Sequence, residues 1–270
     1  MAITTANIPD RILSDLHGRG RLRVWSIIVS AFGDLIDPRD VAMPAPVLQD
    51  LMERLQIKPG AVRTAISRLV DDGWIDRLRD GRNVAYRLTK PAAAESDVAA
   101  ARIYAGRKAA DETLAQIVIL PETARPEPAG MTRLRRGLYV SDGSASLPED
   151  ALVFSGVAMQ VPDWAREAIA PAELAGSFRQ IETLFSPLLS AASVMPAADA
   201  AACRVLLIHY WRRIALRHPE LPASMAPPNW PGDACHQLVA KLYTVLSWQM
   251  EDWLNECIPG AIPSSGRFES

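Results

Sequence analysis

Residues 58–89, KPGAVRTAISRLVDDGWIDRLRDGRNVAYRLT, constrain the fold more than any other part of the chain. Pro59 suits the first position of a helix, where a missing N–H costs no hydrogen bond, and Gly73 suits the end of one. Between them, apolar residues recur at helical spacing at Val62, Ile66, Leu69 and Val70. Residues 74–79 and 83–88 then fit two short strands around the turn Asp80-Gly81. The segment predicts a helix followed directly by a β-hairpin.

The face of this helix opposite the apolar stripe is polar and basic. Arginine can bind guanine through two hydrogen bonds, and serine or threonine can bond any base, so such a face suits the phosphates and base edges of DNA. We therefore expect the helix to enter the major groove. The candidate DNA-binding residues here are Lys58, Arg63, Thr64, Ser67 and Arg68.

The hairpin is expected to carry further cations on its outer face or at its tip. Trp74 and Leu78 should point inward from the first strand, and the second strand should do the same with Val84, Tyr86 and Leu88. The arginines left outside are Arg77, Arg79, Arg82 and Arg87, of which the first three are candidate DNA contacts. An ordinary solvated hairpin is the alternative. A basic hairpin directly after a helix of this kind favours contact with the phosphate backbone.

Two upstream segments complete a three-helix unit. Residues 21–32, RLRVWSIIVSAF, are apolar enough for a central helix, and residues 45–55, APVLQDLMERL, have apolar residues at helical spacing. Residues 33–44 contain one glycine and two prolines and are predicted to form a loop. A turn at residues 56–58 joins the second and third helices, as a helix-turn-helix requires. With the hairpin, these elements predict a winged helix-turn-helix.

Several of these segments resemble the PaaX family. The similar runs are FGD at residues 32–34, VRTAISRLVDDGW at 62–74, GRNVAYRLT at 81–89, LLIHYWRRIALRHPELP at 206–222 and NWPG at 229–232. They follow the family's order and cover the N-terminal domain and the C-terminal third. The resemblance implies a bacterial transcriptional repressor of phenylacetic acid catabolism, which phenylacetyl-coenzyme A releases from DNA. It also implies a GntR-like winged helix, a middle domain with a Cas2-like ferredoxin fold, and a helical C-terminal domain.

The expected fold class is therefore α+β multidomain. With 270 residues, 49% of them apolar, the chain is long enough for two or three domains. We assign a winged-helix DNA-binding domain to residues 1–90 and a linker helix to 91–110. A small ferredoxin-like α+β middle domain is assigned to 111–175, a helical C-terminal domain to 176–258 and a disordered tail to 259–270.

The middle domain is predicted from three buried strands, at residues 114–120, 137–140 and 151–157. Between the first two strands the PaaX family has an amphipathic helix. Here Pro126 and Pro128 interrupt that segment, so the helix should be shortened or replaced by a turn. The Cas2-like resemblance raises a remote alternative, a metal-dependent nuclease, for which Glu122 would supply one carboxylate. An isolated surface Glu is the simpler interpretation, because no second carboxylate stands at a suitable spacing.

A helix predicted over residues 198–216 is apolar on most of its circumference, which indicates burial on several sides. Its polar groups suit an acyl-coenzyme A effector, since guanidiniums can pair with phosphates while aromatic rings line an acyl pocket. The candidate effector-binding residues are His209, Tyr210, Trp211, Arg212 and Arg213. Alternatively, the arginines form structural ion pairs with acids such as Glu220 or Asp233. A last amphipathic helix is predicted over residues 237–255, and it can pack internally or contact a second copy.

Charge and composition narrow the remaining possibilities. The net charge is −2, but residues 1–90 carry 14 Lys and Arg against 11 Asp and Glu, whereas residues 91–270 carry 15 against 20. The positive end is the end with the predicted DNA-binding domain. No apolar run reaches the roughly 18–20 residues of a membrane span, and the N-terminus lacks a signal-peptide core. Three widely spaced cysteines imply no disulfide framework. We expect a cytoplasmic protein with no metal and no cofactor besides the effector.

The sequence thus predicts a ligand-responsive repressor that is not an enzyme. No P-loop, nucleophile elbow or dinucleotide-binding glycine motif is present. A homodimer on double-stranded operator DNA is expected, because one recognition helix reads only a few base pairs and two-fold symmetry doubles the site. An activator, a regulator that answers a different acyl-coenzyme A and an architectural DNA-binding protein are the alternatives.

Overall fold

The computed structural model describes residues 8–18, 20, 22–106, 115–121, 130–141, 143, 146–158, 160–218, 225–262, 267 and 268. Within them the chain has a mixed α+β architecture with two small antiparallel sheets. It divides into two compact units. Unit 1 comprises Met1–Ala105, Ile181–Arg212 and Gln237–Ser270, and unit 2 comprises Gly106–Gln180 and Arg213–His236. Both units are discontinuous in sequence, whereas five consecutive segments were expected.

Unit 1 begins with four helices and a three-stranded sheet. In chain order these are α1 (Asp10–Gly18), α2 (Val24–Leu35), β1 (Met43–Pro44), α3 (Ala45–Arg54), α4 (Pro59–Asp71), β2 (Ile75–Asp80) and β3 (Asn83–Leu88), followed by α5 (Lys90–Ile103). The sheet order is β1-β3-β2. The structure confirms the three predicted helices and both hairpin strands. It adds α1 and β1, which the apolar pattern does not predict.

Local sequence signals fix the ends of these helices. Pro44 precedes α3 with an extended backbone, and Pro59 is the first residue of α4, where its missing N–H is not needed. At the start of α5 the Thr89 side chain accepts a hydrogen bond from the backbone N–H of Ala92 at 3.4 Å. Beyond α4, Gly73 has a φ of +70°, a conformation that glycine adopts without strain.

Unit 2 is built around a four-stranded antiparallel sheet. Its strands are β4 (Ala115–Ile119), β5 (Thr132–Arg135), β6 (Leu138–Ser141) and β7 (Leu152–Gly156), in the order β5-β6-β4-β7, and α6 (Asp163–Ile169) follows them. The three predicted strands are confirmed as β4, β6 and β7. Strand β5 escapes prediction because its four residues, TRLR, include two arginines and no apolar run. The helix predicted to be shortened by Pro126 and Pro128 lies outside the described residues, as does Glu122.

Each face of this sheet buries its own apolar cluster. One cluster comprises Ala115, Val140, Ile169 and Met225. The other comprises Val118, Leu120, Met131 and Tyr139. Val118 pairs with Tyr139 across β4 and β6, so the two side chains lie on the same face, as cross-strand partners do. Both faces of the sheet therefore contribute to the core of unit 2, although Leu152 and Phe154 of the edge strand β7 are each 57% exposed.

The remaining helices are α7 (Ala172–Phe185), α8 (Leu188–Ala191), α9 (Ala197–Ala215) and α10 (Gly232–Cys257). The structure confirms the two long helices predicted in the C-terminal third, although α10 begins at Gly232 rather than at residue 237. Every residue from 199 to 211 in α9 is buried. Burial around the whole circumference agrees with the apolar pattern of that segment.

A buried ion pair joins three helices of unit 1. Arg204 of α9 is only 1% exposed, and its Nε donates to Asp34 Oδ2 of α2 at 2.9 Å. Its Nη1 donates to Ser247 Oγ of α10 at 2.8 Å, and its Nη2 donates to the Asp34 carbonyl at 3.2 Å. Burial lowers the pKa of Arg204, but the charge of Asp34, the two nearby tyrosines Tyr243 and Tyr104 and the hydrogen bond to Asp34 together raise it above its ordinary value, so the guanidinium stays charged.

Two buried tyrosines extend this network. The hydroxyl of Tyr104, which follows α5, donates to Asp34 Oδ1 at 2.8 Å. Burial and the charge of Asp34 raise the pKa of Tyr104, so the hydroxyl keeps the proton that it donates. The Arg204 guanidinium also lies 4.7 Å from the ring centroid of Tyr243. Asp34 therefore has a donor at each carboxylate oxygen.

The described part of the tail packs into unit 1, contrary to the disorder predicted for residues 259–270. The Phe268 ring is 7% exposed and lies 5.3 Å from the ring of Tyr104 and 5.2 Å from that of Tyr243. Arg267 donates to the Gly33 carbonyl at 3.3 Å and to Asp37 Oδ2 at 2.7 Å. A cation at the end of α2 satisfies carbonyls that the helix leaves unbonded. The prediction of disorder rested on the Pro, Gly and Ser content of the tail, and that composition gives no sign of the contacts that Arg267 and Phe268 form.

Replacing Arg204 with Met should destabilise unit 1 strongly, because it leaves the Asp34 carboxylate buried without its ion-pair partner. We expect a loss of about 3–5 kcal/mol in the free energy of unfolding. Urea denaturation followed by circular dichroism measures it. The matched control is Arg87→Met, which breaks an exposed 4.0 Å pair with Asp76 and should cost less than about 1 kcal/mol. Equal losses in the two variants would contradict a structural role for the buried pair.

The three cysteines should differ sharply in reactivity. All are free, Cys203 and Cys235 are buried, and Cys257 is partly exposed. Burial raises the pKa of Cys203 to about 12, so its thiolate is scarce at pH 8. In a chromogenic disulfide-exchange assay of the native protein we expect Cys257 to react first, and all three thiols to react in denaturant. Cys257→Ser should abolish the first phase, and its persistence would contradict the assignment.

Candidate nucleic-acid interface

Helix α4 separates a buried face from a polar exposed face. Val62, Ala65 and Leu69 are buried at 1%, 7% and 3% exposure. The prediction that Val70 belongs to this stripe is wrong, since Val70 is 36% exposed and Ala65 takes the inward position. The stripe turns around the helix because 3.6 residues make one turn, and at the end of α4 position 70 has rotated out of the core. The predicted polar residues Arg63, Thr64, Ser67 and Arg68 are all exposed, as is Lys58.

A tight turn orients α4 against α3. Gln56 adopts a φ of +56°, and the backbone N–H of Ile57 donates to the Met52 carbonyl at 2.9 Å. Leu51 and Leu55 are fully buried beside the turn. The core therefore fixes the direction of α4, while its polar face is left to solvent.

The base of the hairpin is bonded to the end of α4. The backbone N–H of Trp74 donates to the Leu69 carbonyl at 2.8 Å. The Thr89 hydroxyl donates to the Gly73 carbonyl at 2.8 Å, and the Thr89 N–H donates to the Trp74 carbonyl at 3.1 Å. These bonds hold the base of the β2–β3 hairpin against the end of α4.

The register of the hairpin corrects the predicted faces. Ile75 pairs with Leu88, Arg77 with Tyr86 and Arg79 with Val84. Because directly opposed residues share a face, Arg77 and Arg79 lie on the face of the buried residues Ile75, Tyr86 and Leu88, not on the outer face. They remain exposed, since the burial of this face is concentrated toward the base of the hairpin.

The prediction that Trp74 and Leu78 point inward with the second strand is also wrong. Leu78 pairs with Ala85 and shares the other face with Arg87, and Trp74 is half-buried before the strand begins. The pair Asp80 and Asn83 closes the hairpin, so its loop residues are Gly81 and Arg82. A shift of one residue in the assumed turn moves every side chain of β2 to the opposite face. Arg82 is exposed at the tip, as predicted.

Two of the exposed polar residues of α4 are also held within the protein. The Thr64 hydroxyl donates to the Gly60 carbonyl at 3.0 Å. Arg68 Nε donates to Asp72 Oδ2 at 3.3 Å, and its guanidinium lies 5.2 Å from the ring centroid of Trp25 in α2. Trp25 could not be predicted as a partner of Arg68, because a residue of another helix gives no signal in the periodicity of α4.

Among the predicted effector residues, His209 and Arg212 bond to α2. His209 is 8% exposed, and its Nδ1 lies 3.0 Å from Ser30 Oγ. Arg212 Nη2 donates to the Ser26 hydroxyl at 2.7 Å and to the Ser26 carbonyl at 3.0 Å. Both side chains thus tie α9 to α2 from inside unit 1. Glu220, one of the acids considered as an ion-pair partner for the arginines, lies outside the described residues.

The other three predicted effector residues point to different surroundings. The Tyr210 hydroxyl donates to Asp15 Oδ2 of α1 at 2.6 Å, and Trp211 Nε1 donates to the Ile103 carbonyl at the end of α5 at 2.7 Å. Arg213 is exposed. The bonds of His209, Tyr210, Trp211 and Arg212 are directed to three separate helices, so the structure does not bring the five residues together around one cavity.

Unit 1 contains a cavity that the sequence analysis did not identify. Its volume is about 300 Å³, and its lining comprises Asp37, Arg39, Asp97, Ala100, Ala101, Tyr104, Ala105 and Arg267. Both arginines form ion pairs across it, Arg39 with Asp97 at 2.8 Å and Arg267 with Asp37 at 2.7 Å. Its charges are therefore neutralised in pairs.

Metal binding and membrane crossing find no support in the described part of the chain. No group of three or more His, Cys, Asp or Glu side chains there could hold a metal ion. None of the helices in the described ranges combines the length and the apolar composition needed to cross a bilayer.

Comparisons with known proteins match both ends of the chain. The model of the family described as PaaX-like protein matches residues 23–92, and the model of the PaaX-like protein C-terminal domain matches residues 170–256. The chain is 26% identical over 248 residues to the transcriptional repressor PaaX of Escherichia coli (strain K12), covering 81% of this chain and 78% of that protein. A solved structure, the uncharacterized protein Rv0674 from Mycobacterium tuberculosis, aligns with a TM-score of 0.48 and 17% identity, over 84% of this chain and 97% of that chain.

Proposed function

This chain belongs to the PaaX-like family, and from that membership we propose that it is a transcriptional repressor that binds double-stranded operator DNA in a sequence-specific manner. The observation that carries the proposal is the polar face of α4, on which two arginines and two hydroxyl side chains are exposed over a buried apolar face. This combination anchors the helix by its apolar face and leaves its polar side chains exposed to a partner.

The elements around α4 support a winged helix-turn-helix. Helix α3, the turn at Gln56 and helix α4 supply the helix-turn-helix, and the hairpin β2–β3 with β1 supplies the wing. In this interpretation α4 is the recognition helix, because it is the second helix of the helix-turn-helix. The major groove of B-DNA is about 12 Å wide and admits one such helix. Lys58 at its start and the wing residues Arg77, Arg79 and Arg82 then contact phosphates.

Local rather than overall charge drives the proposed binding. The chain as a whole carries −2, yet residues 58–90 carry eight Lys and Arg against four Asp and Glu. Phosphate contacts depend on cations within about one Debye length, roughly 8–10 Å, so distant acids are largely screened. Homodimerisation belongs to the same proposal, since two copies related by a two-fold axis would read two half-sites.

For unit 2 we propose a ferredoxin-like origin. Strand β4 lies between β6 and β7, and β5 lies at the other edge beside β6. All neighbouring strands are antiparallel. A split βαβ arrangement produces this order when each of the two crossovers skips one strand position. The remote nuclease alternative gains no support from the described residues.

The effector in this proposal is an aryl-acetyl-coenzyme A, with phenylacetyl-coenzyme A as the compound implied by the family resemblance. Of the five residues predicted to bind it, Arg213 is the one that is exposed. His209 and Arg212 bond to α2, the helix that also packs against α4. This arrangement supports a site near the end of α9 whose occupation is transmitted through α2 to the DNA-binding face.

Two classes of arginine should respond differently when replaced. Arg63→Ala should weaken binding to the preferred duplex by about 1–3 kcal/mol and weaken binding to scrambled DNA much less, because its main effect is the loss of a base contact. Arg82→Ala should weaken binding to both duplexes and flatten the salt dependence, because a phosphate contact is lost. Fluorescence anisotropy at several salt concentrations measures both quantities. Arg11→Ala on α1, also exposed, is the control for the loss of one charge.

The duplex for this experiment is selected by the wild-type protein from a random library and compared with a scrambled version. A consensus sequence, with Arg63 and Arg82 acting as described, supports the proposal. No selection of any sequence, or equal effects of all three variants, would contradict sequence-specific recognition by α4.

The effector proposal makes a separate prediction for the end of α9. Arg213→Ala should keep DNA affinity and raise the concentration of phenylacetyl-coenzyme A needed for release about tenfold, since a guanidinium–phosphate bond is worth roughly 1.5–3 kcal/mol. Arg217→Ala is the matched control, because Arg217 is exposed just beyond α9. Acetyl-coenzyme A, titrated in parallel, separates recognition of the acyl group from that of the carrier. Unchanged release in the Arg213 variant would move the effector site elsewhere.

A further inference from the structure

The guanidinium of Arg68 is exposed but held from two sides. Its side chain is 62% exposed, and its Nε donates to Asp72 Oδ2 at 3.3 Å, one turn further along α4. The Arg68 Cζ atom lies over the ring of Trp25, 5.2 Å from its centroid, and Trp25 belongs to the first turn of α2. Three points, the Arg68 Cα atom, a carboxylate and an indole ring, therefore define where the guanidinium sits.

Such support matters for recognition because arginine has many rotamers. A free arginine loses that freedom when it binds, whereas one already held in place loses less, and its direction is set before the partner arrives. The contact with Asp72 uses Nε, so the edge formed by Nη1 and Nη2 is left for a bidentate contact. Two parallel N–H donors on one edge match the O6 and N7 atoms of guanine.

We propose that Trp25 and Asp72 are positioning residues that hold Arg68 in the orientation with which it discriminates between base sequences. This inference rests on the proposed DNA-binding function and deepens it. It assigns a specificity role to a tryptophan outside the recognition helix and to an acid at the end of that helix.

Because Asp72 is negatively charged, a positioning role and a purely electrostatic role predict different changes in DNA affinity when the charge is removed. A carboxylate beside DNA repels phosphates, so as a charge alone Asp72 weakens binding to every duplex, and its removal should strengthen all binding alike. As a positioning residue it favours the preferred duplex, and its removal should lower discrimination. The neighbouring Asp71 is also exposed on α4, and it supplies the same charge one position away from the Arg68 contact.

The experiment compares Asp72→Asn with Asp71→Asn on the duplex selected by the wild-type protein and on its scrambled version. We expect Asp71→Asn to tighten both complexes by the same factor, about twofold. Asp72→Asn should tighten the scrambled complex about twofold and weaken the preferred complex about fivefold, so that the ratio of the two affinities falls about tenfold. In an Arg68→Ala background Asp72→Asn should behave like Asp71→Asn, because the side chain that it positions is gone.

Trp25 is tested by a graded pair of variants. Trp25→Leu should lower the affinity ratio about five- to tenfold without changing scrambled binding, and Trp25→Phe should recover part of it, since a phenyl ring is a weaker cation–π partner. Thermal unfolding confirms that both variants are folded. A loss of affinity for both duplexes in Trp25→Leu would indicate a merely structural role.

The outcomes separate this inference from the function on which it rests. Failure of the wild-type protein to prefer any duplex would overturn both. A wild-type preference with Asp72→Asn and Asp71→Asn indistinguishable would overturn the positioning role alone. A preference that Arg68→Ala leaves intact would show that another residue reads the sequence, and would overturn it as well.

Discussion

A guanidinium and a carboxylate that are both removed from water offset their lost hydration only when each keeps a full set of hydrogen bonds. Arg204 donates to Asp34, to Ser247 and to a backbone carbonyl, and Asp34 also accepts from Tyr104. The partners come from α2, α9, α10 and the end of α5. Because these partners come from separate helices, the pair ties α2, α9 and α10 and the end of α5 together in the core of unit 1.

Helix α2 is the element that this arrangement shares most widely. Its first turn carries Trp25, which contacts Arg68, and its last turn carries Asp34, which contacts Arg204. Between them, Ser26 and Ser30 bond to α9. A displacement of α9 cannot leave α2 unchanged, and α2 packs directly against α4. The proposed DNA-binding face and α9 are therefore connected through the contacts of α2, and contiguous contacts of this kind can carry a ligand response.

Periodicity predicted most of the helices and strands, but it did not predict which face of β2 is buried or which side chains from distant segments contact each other. The helix after Pro59, the hairpin and the two long C-terminal helices follow from patterns that repeat within one segment. The faces of β2 do not, because the position of the turn decides them, and a shift of one residue placed Leu78 on the wrong face. The contacts of Arg204, Trp25 and Phe268 join residues far apart in the chain, and such contacts leave no local signal. For the candidate site, the exposed residues of α4 were predictable, whereas the partners that hold Arg68 were not.

The discontinuity of unit 1 has a consequence for the synthesis of the protein. A ribosome releases the helix-turn-helix and hairpin segment first, at roughly 5–20 residues per second, yet Arg204, Ser247 and Phe268 belong to the last third of the chain. Until they emerge, Asp34 has no cation beside it and the ring of Tyr104 has no tail to pack against it. The nascent N-terminal segment thus waits in an incomplete state, and a prematurely terminated message yields a fragment that lacks the interior of its own first domain. Completion of the buried network of unit 1 is therefore coupled to synthesis of the C-terminal third of the chain.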